Sequence, residues 1–460
     1  PKSPSRYSPL VNKSLAKRRR DTVLHQMARN QVITQSRLDA AQSAPIDLAP
    51  RKERLQKAPY FVAQSTQLLE RELGETAVYK QGLSIYTTLD YAMQEAAENA
   101  VSKGLNDLAG RMKRRGLPEP APQAALVCLD VDHGGILALV GGRDYEESPF
   151  DRATMALRQP GSAFKPLVYA LAVEKGFSQN NMLWDAPVTY RGAVKNQDWT
   201  PTNFSKKFMG EITLRKALAL SKNIPAVRLL HKLGPVPAVD FGHKMGIGSP
   251  LAPNLSLVLG TSEVTLLELT SAYAVFPRGG IWSEPYGITE VLDRQERTVW
   301  RHTPVKQPVM SPDAAAVITD MLMAVIREGT GRKALALDRP LAGKTGTTDR
   351  FRDALFVGFS PSVALGVWVG LDNHDTLGGN ETGARAALPI WIDFMEHVLP
   401  NLPYQGFDLP MGVVKVRMDA GSGLLASSNC PDAVTAVFRK GEQPTTYCEH
   451  RTEGPWKPLD

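Results

Sequence analysis

Ser162 and Lys165, in "RQPGSAFKPLVYALAVEKG", are three residues apart, the spacing that puts two side chains on one face of a helix. Serine is a poor nucleophile until a base takes its proton, and a lysine can be that base only where burial or a nearby cation lowers its pKa. Pro166 lacks an N–H and is tolerated in the first turn of a helix, so a helix from about Ser162 to Gly176 is expected. Its apolar character on nearly every side predicts burial in the domain centre, with only the N-terminus open. Free N–H groups and the helix dipole there favour the negative charge that attack on a carbonyl creates. No G-x-S-x-G elbow and no histidine near Ser162 offer another base.

Two further stretches carry chemistry. Ser221-Lys222-Asn223 lies between the helical "ITLRKALAL" and "IPAVRLLHKLG", with Pro225 near the start of the second. Gly343-Lys344-Thr345 looks at first like part of a phosphate loop, which needs G-x-x-x-x-G-K-[ST] running into a helix. Asp338 stands five residues before Gly343, a carboxylate where a glycine belongs, and the flanks 354–360 and 363–371 are strand formers separated by Ser360-Pro361-Ser362. An antiparallel meander with Lys344 on its first, edge strand is expected. Lys344, Thr345, Gly346 and Thr347 on such a strand suit the backbone and carboxylate of an extended peptide. Single matches mean little, since Ser14 to Lys17 also reads S-x-x-K, and Ser178 to Asn180 and Ser427 to Asn429 read S-x-N. K-T-G occurs once, and the order and setting of the three motifs carry the argument.

The elements that must position them follow from composition and pattern. The 460 residues, 43% hydrophobic and 22% charged, are ordinary for globular protein. No run of 18 apolar residues and no signal peptide are visible, and Pro1 in place of Met suggests a fragment whose targeting segment is missing. The formal charge of +7 is concentrated at the start: residues 1–57 hold 13 Lys/Arg against 4 Asp/Glu. Without interleaved aromatics this argues against nucleic acid and for an anionic membrane surface or polyanionic substrate. Residues 13–45 read as two short helices, and 46–122 as a mixed segment with strand-like "GLSIYTTLD", a long helix and the hinge "RMKRRGLPEPAP". "QAALVCLDVDHGGILALVGGRDY" reads as a hairpin opening the main domain, which runs to about 402, and 403–460 is a small tail with strand-like "GVVKVRMD". Cys128 falls in an apolar run and reads as core, while Cys430 and Cys448 form a pair compatible with a disulfide or with two surface thiols. No cysteine and histidine spacing suggests zinc, and neither metal nor cofactor is expected.

S-x-x-K, S-x-N and K-T-G-T in this order resemble the penicillin-binding proteins. "LSIYTTLDYAMQEAAENAV", "ILALVGGRDY", "DWTPTNFSKKFMGEITLRKALALSKNIPAV", "REGTG" and "DALFVGFSPSVALGVWVGLDN" resemble the class A, bifunctional members, and "SRYSPLVNKSLAKRRRDTVLHQMARNQVIT" resembles the end of their peptidoglycan glycosyltransferase domain. The resemblance implies an α/β (α+β) fold of the penicillin-binding and serine β-lactamase type, an antiparallel sheet with a helical subdomain plus small linker and tail segments. It implies four parts: 1–45 as glycosyltransferase remnant, 46–122 as linker, 123–402 as transpeptidase and 403–460 as β-rich tail. The glycosyltransferase glutamate of an E-D-x-x-F motif is expected upstream of Pro1, so polymerisation is not credited to this chain.

The implied activity is D,D-transpeptidation of peptidoglycan stem peptides, without cofactor or metal, on the outer face of the cytoplasmic membrane through an anchor outside these residues. The partners are stem peptides, glycan strands and β-lactam antibiotics. Ser162 is the implied nucleophile, Lys165 its base and Ser221 the relay to the leaving D-alanine, and Asn223 holds the substrate amide. Lys344, Thr345 and Thr347 bind the terminal carboxylate, Gly346 lets the substrate backbone approach, and the N–H groups of Ser162 and Thr347 form the oxyanion hole. A D,D-carboxypeptidase, a serine β-lactamase or a noncatalytic β-lactam sensor shares the motifs. The commonest β-lactamases also need an E-x-x-L-N glutamate, which is absent between Ser221 and Lys344.

Overall fold

The computed structural model describes residues 7–9, 12–48, 57–117, 121–194, 197–430 and 432–448. The chain divides into two compact units, Pro1–Lys57 and Ala58–Asp460. The first holds helices Lys13–Arg29 and Gln35–Ser43, begun by Asn12 and Thr34, whose side chains accept the N–H of Leu15 and Arg37. The Arg20 guanidinium ties them by donating to the carbonyls of Gln42 and Ala44. Among its described residues only Ala16 and Leu38 are buried hydrophobics, too little to close a core.

The second unit is organised on a five-stranded antiparallel sheet whose strands, in spatial order, are Ala342–Thr347, Asp353–Phe359, Val363–Gly370, Gln123–Asp130 and Ile136–Val140. The meander is present, with Lys344 opposite Val357 on the edge strand, and the Ser360 hydroxyl makes its turn by accepting the N–H of Ser362 and Val363. Alternate residues of each strand enter different cores. Ala125, Val127 and Leu129 join a core with the helices Lys165–Glu174 and Leu266–Ala274. Ala124, Leu126 and Cys128 join the other, with Tyr91–Arg114 and Gly383–Val398. Both faces are covered, which is why "AALVCLDV" is apolar without alternation. Tyr91–Arg114, from the segment expected as linker, thus lies directly on the sheet.

Ser162 does not begin an α-helix. A 3-10 turn, Gly161–Phe164, comes first, and the α-helix runs Lys165–Glu174 with Pro166 in its first turn. Gly161 sets this break with φ +54°, and the buried Tyr273 hydroxyl holds the turn by donating to the Ala163 carbonyl at 2.6 Å. Side chains at i and i+3 eclipse in a 3-10 turn, so Ser162 and Lys165 still share a face.

The tail pairs Val413–Asp419 with Ala433–Arg439 and is closed by a Cys430–Cys448 disulfide. Asp419 has a ligand atom close to both sulfurs, but joined sulfurs offer no thiolate to a cation. No helix of the described residues is long and apolar enough to cross a membrane.

Candidate active site

Three distant stretches of chain meet around one hydroxyl. Lys165 Nζ donates to Asn223 Oδ1 and the Ser221 carbonyl, both at 2.7 Å, and lies 3.4 Å from Ser221 Oγ. Lys344 Nζ donates to Ser221 Oγ at 2.9 Å and to the Thr345 carbonyl at 3.0 Å. Both lysines are 0% exposed, and no carboxylate is paired with either among the described residues. Burial pushes Lys344 down to about 7. Burial and then the charge of Lys344 hold Lys165 well below the lysine range.

Local sequence explains each placement. Lys165 opens an apolar helix that is buried on every side, so its amine ends in the interior. Ser221 follows the short helix Leu214–Ala219 in a Schellman cap: its own N–H bonds to Leu218 O and that of Lys222 to Ala217 O. The position requires the left-handed region, which Ser221 occupies at φ +57° where glycine is usual. That backbone turns the hydroxyl toward both lysines. Asn223 begins the helix Asn223–Leu233; its Nδ2 donates to Thr202 O, which leaves Oδ1 to face Lys165.

Ser162 is half-buried on the turn that leads into Lys165, and its hydroxyl makes no hydrogen bond among the described residues. Its turn packs on the end of the Lys344 strand: a Cβ on Gly161 would strike the backbone of Thr347, and one on Gly346 would strike Pro160 and Ala163. The missing side chain of Gly346 makes room for the serine turn. Thr345 Oγ shares a hydrogen bond with Thr330 at 2.7 Å and accepts from Lys344 Nζ at 3.3 Å, and Thr347 Oγ accepts the Gly383 N–H at 3.0 Å.

Thr330 and Tyr273 were not singled out from sequence. For Thr330 a signal existed in "REGTG", since Gly329 has no space for a side chain beside Ala219 O and the Thr330 N–H bonds to that carbonyl. For Tyr273, inside a hydrophobic helix, there was none.

A half-buried serine before a buried lysine, a second serine hydroxyl between two lysines and an edge strand beside them make up the candidate site, on a fold that matches penicillin-binding transpeptidase domains. The chain belongs to the penicillin-binding protein transpeptidase family, in its class A group: residues 124–396 match the penicillin binding protein transpeptidase domain and 409–453 the penicillin-binding protein 1A C-terminal domain. It is 36% identical to penicillin-binding protein 1A of Aquifex aeolicus over 97% of this chain and 71% of that protein. It is 35% identical to penicillin-binding protein 2D of Bacillus subtilis over 97% of this chain and 65% of that one. The crystal structure of Haemophilus influenzae penicillin-binding protein 1A superposes with a TM-score of 0.84 at 27% identity, covering 97% of this chain and 85% of that chain. PonA1 of Mycobacterium tuberculosis, solved in complex with penicillin V, superposes with a TM-score of 0.67 at 27% identity, covering 77% of this chain and 97% of that one. The chain is a peptidoglycan transpeptidase.

Proposed function

We propose that the transpeptidase works through a serine acyl-enzyme at Ser162. The supporting observation is the continuous hydrogen-bonded path Asn223–Lys165–Ser221–Lys344, with two buried lysines around one serine hydroxyl. Ser162 Oγ bonds to the carbonyl carbon between the two D-alanines of a stem peptide while Lys165, neutral because it is buried beside a cation, takes the hydroxyl proton. The oxyanion that forms is met by the N–H groups of Ser162 and Thr347, a pairing supported by the packing of the serine turn on the strand end. Collapse breaks the C–N bond, and Ser221 passes a proton to the departing D-alanine nitrogen, drawing on the lysines at either side. An amine of a second stem peptide then attacks the ester, its C–N bond replaces the C–O bond, and Ser162 recovers its proton. Lys344, Thr345 and Thr347 bind the terminal carboxylate and Asn223 the substrate amide. No cofactor takes part.

A β-lactam enters the same path as a carboxylate-bearing cyclic amide, and its acyl ester persists. PonA1, a structural relative solved in complex with penicillin V, supports β-lactam binding. Residues 1–45 are read as the end of a glycosyltransferase domain, 46–122 as linker, 123–402 as transpeptidase and 403–460 as tail, on the outer face of the cytoplasmic membrane and held there by an anchor outside these residues.

Incubation with a fluorescent penicillin followed by peptide mapping tests the assignment. The adduct is expected on the peptide containing Ser162 and absent from Ser162→Ala; labelling of that variant at the wild-type level would refute it.

A further inference from the structure

The S-x-N turn is capped from outside its own segment. Lys222, at the N-cap of the Asn223–Leu233 helix, offers no side-chain acceptor to the first N–H groups. Asn203, twenty residues earlier in a loop, supplies it: its Oδ1 accepts the N–H of Asn223 at 2.9 Å and of Ile224 at 3.3 Å. Asn203 is 3% exposed, and its Nδ2 donates to Asp185 Oδ1 and to the Lys207 carbonyl. The other oxygen of the fully buried Asp185 accepts the Met209 N–H at 3.1 Å and pairs with Lys222 Nζ at 3.2 Å. The residue before Asn203 also takes part, for Thr202 O holds Asn223 Nδ2.

We infer that Asn203, oriented by Asp185, is a positioning residue of the transpeptidase, which aims Asn223 Oδ1 at Lys165 and sets the Ser221 hydroxyl between the two lysines. The inference rests on the catalytic reading above. Both flanks of the turn are gripped, Lys222 by a buried ion pair and Asn223 by backbone and amide bonds. Among the described residues the side chain of Lys165 bonds only to groups on the turn, and that of Lys344 only to the turn and to its own strand. A turn that moves by an ångström therefore takes the proton path with it, a displacement worth ~10²-fold in rate.

A stabilising cap alone would affect melting but not the chemistry of folded molecules, so the test reads acylation per folded molecule and uses rescue. Asn203→Ala, Asn203→Ser and the exchange Asn203→Asp with Asp185→Asn are compared by stopped-flow acylation with a fluorescent penicillin and by thermal unfolding. The exchange keeps an acceptor for Asn223 and Ile224 and restores a donor and acceptor pair between positions 185 and 203. Asn203→Ala is expected to lower the acylation step ~10- to 100-fold while initial noncovalent binding changes less. Asn203→Ser, with an acceptor but no donor to Asp185, should fall between, and serves if the alanine variant does not fold. The exchange is expected to recover acylation to within about threefold of wild type. Acylation per folded molecule at the wild-type rate in Asn203→Ala or Asn203→Ser overturns the inference, as does a folded exchange variant with no recovery. If wild-type protein is not labelled at Ser162, the catalytic reading fails instead, and the two failures are distinct.

Discussion

In the proposed mechanism Lys344 stands between two roles, a cation for the substrate carboxylate and a charge that keeps Lys165 free of its proton. Burial brings it to about 7 from an ordinary 10.5. As pH falls, the unfolded chain binds this proton first, so the stability associated with Lys344 is full above 10.5 and is lost as pH drops toward 7. Lys165 must be neutral to act as base, and its second cause of depression, after burial, is the charge of Lys344. In Lys344→Gln that charge is gone, so Lys165 holds its proton to higher pH. The acid limb of the acylation profile should move in the alkaline direction, measured with a fluorescent penicillin from pH 5 to 10. A limb that stays in place or moves toward acid would show that the lysines do not act on one another.

At the scale of elements, the site is assembled from ends: the first turn of one helix, the C-cap of another and an edge strand. Ser221 shows what such an end demands, because a Schellman cap favours glycine and here holds a serine at φ +57°. A non-glycine residue there is strained by ~1 kcal/mol. Ser221→Gly and Ser221→Ala both remove the hydroxyl that accepts from Lys344, and both should lose acylation by ~10²-fold or more. They differ only in strain. Ser221→Gly should therefore be about 1 kcal/mol more stable than Ser221→Ala in urea unfolding, and equal midpoints would mean that the turn relaxes out of the left-handed region.

Across the whole molecule, the tail is bolted to the helices that lead into the site. Asp320, on the helix Pro312–Arg327, accepts from Arg215 at 2.7 Å, from Gln179 at 3.1 Å and from the N–H of Val437 on the tail at 3.0 Å. Arg215 lies on the short helix that ends at the Ser221 turn, and Pro312–Arg327 leads into the Thr330 loop. Asp320→Ala leaves a buried guanidinium with, among the described residues, only the half-exposed Glu328 as counter-charge. A stability loss of ~3 kcal/mol is expected from denaturant unfolding, and an unchanged midpoint would place the tail's attachment elsewhere.

Much of this was legible in the residues alone. Pro166 restricts where a helix can start, a strand buried on both faces must be apolar throughout, and Ser360-Pro361-Ser362 stops one strand and begins the next; each is a local rule with a local reading. The identity of the three motifs is likewise a matter of residue type and order. Tertiary structure decided what distance decides. Lys165, Ser221 and Lys344 come together across separations of 56 and 123 residues, Gly346 lies against the serine turn, and Tyr273, Thr330 and Asn203 act through hydrogen bonds to groups remote in the chain. Such bonds leave no periodicity in the chain, because they depend on where loops are carried by the packing of two cores on one sheet, and that packing exists only once the whole unit is folded.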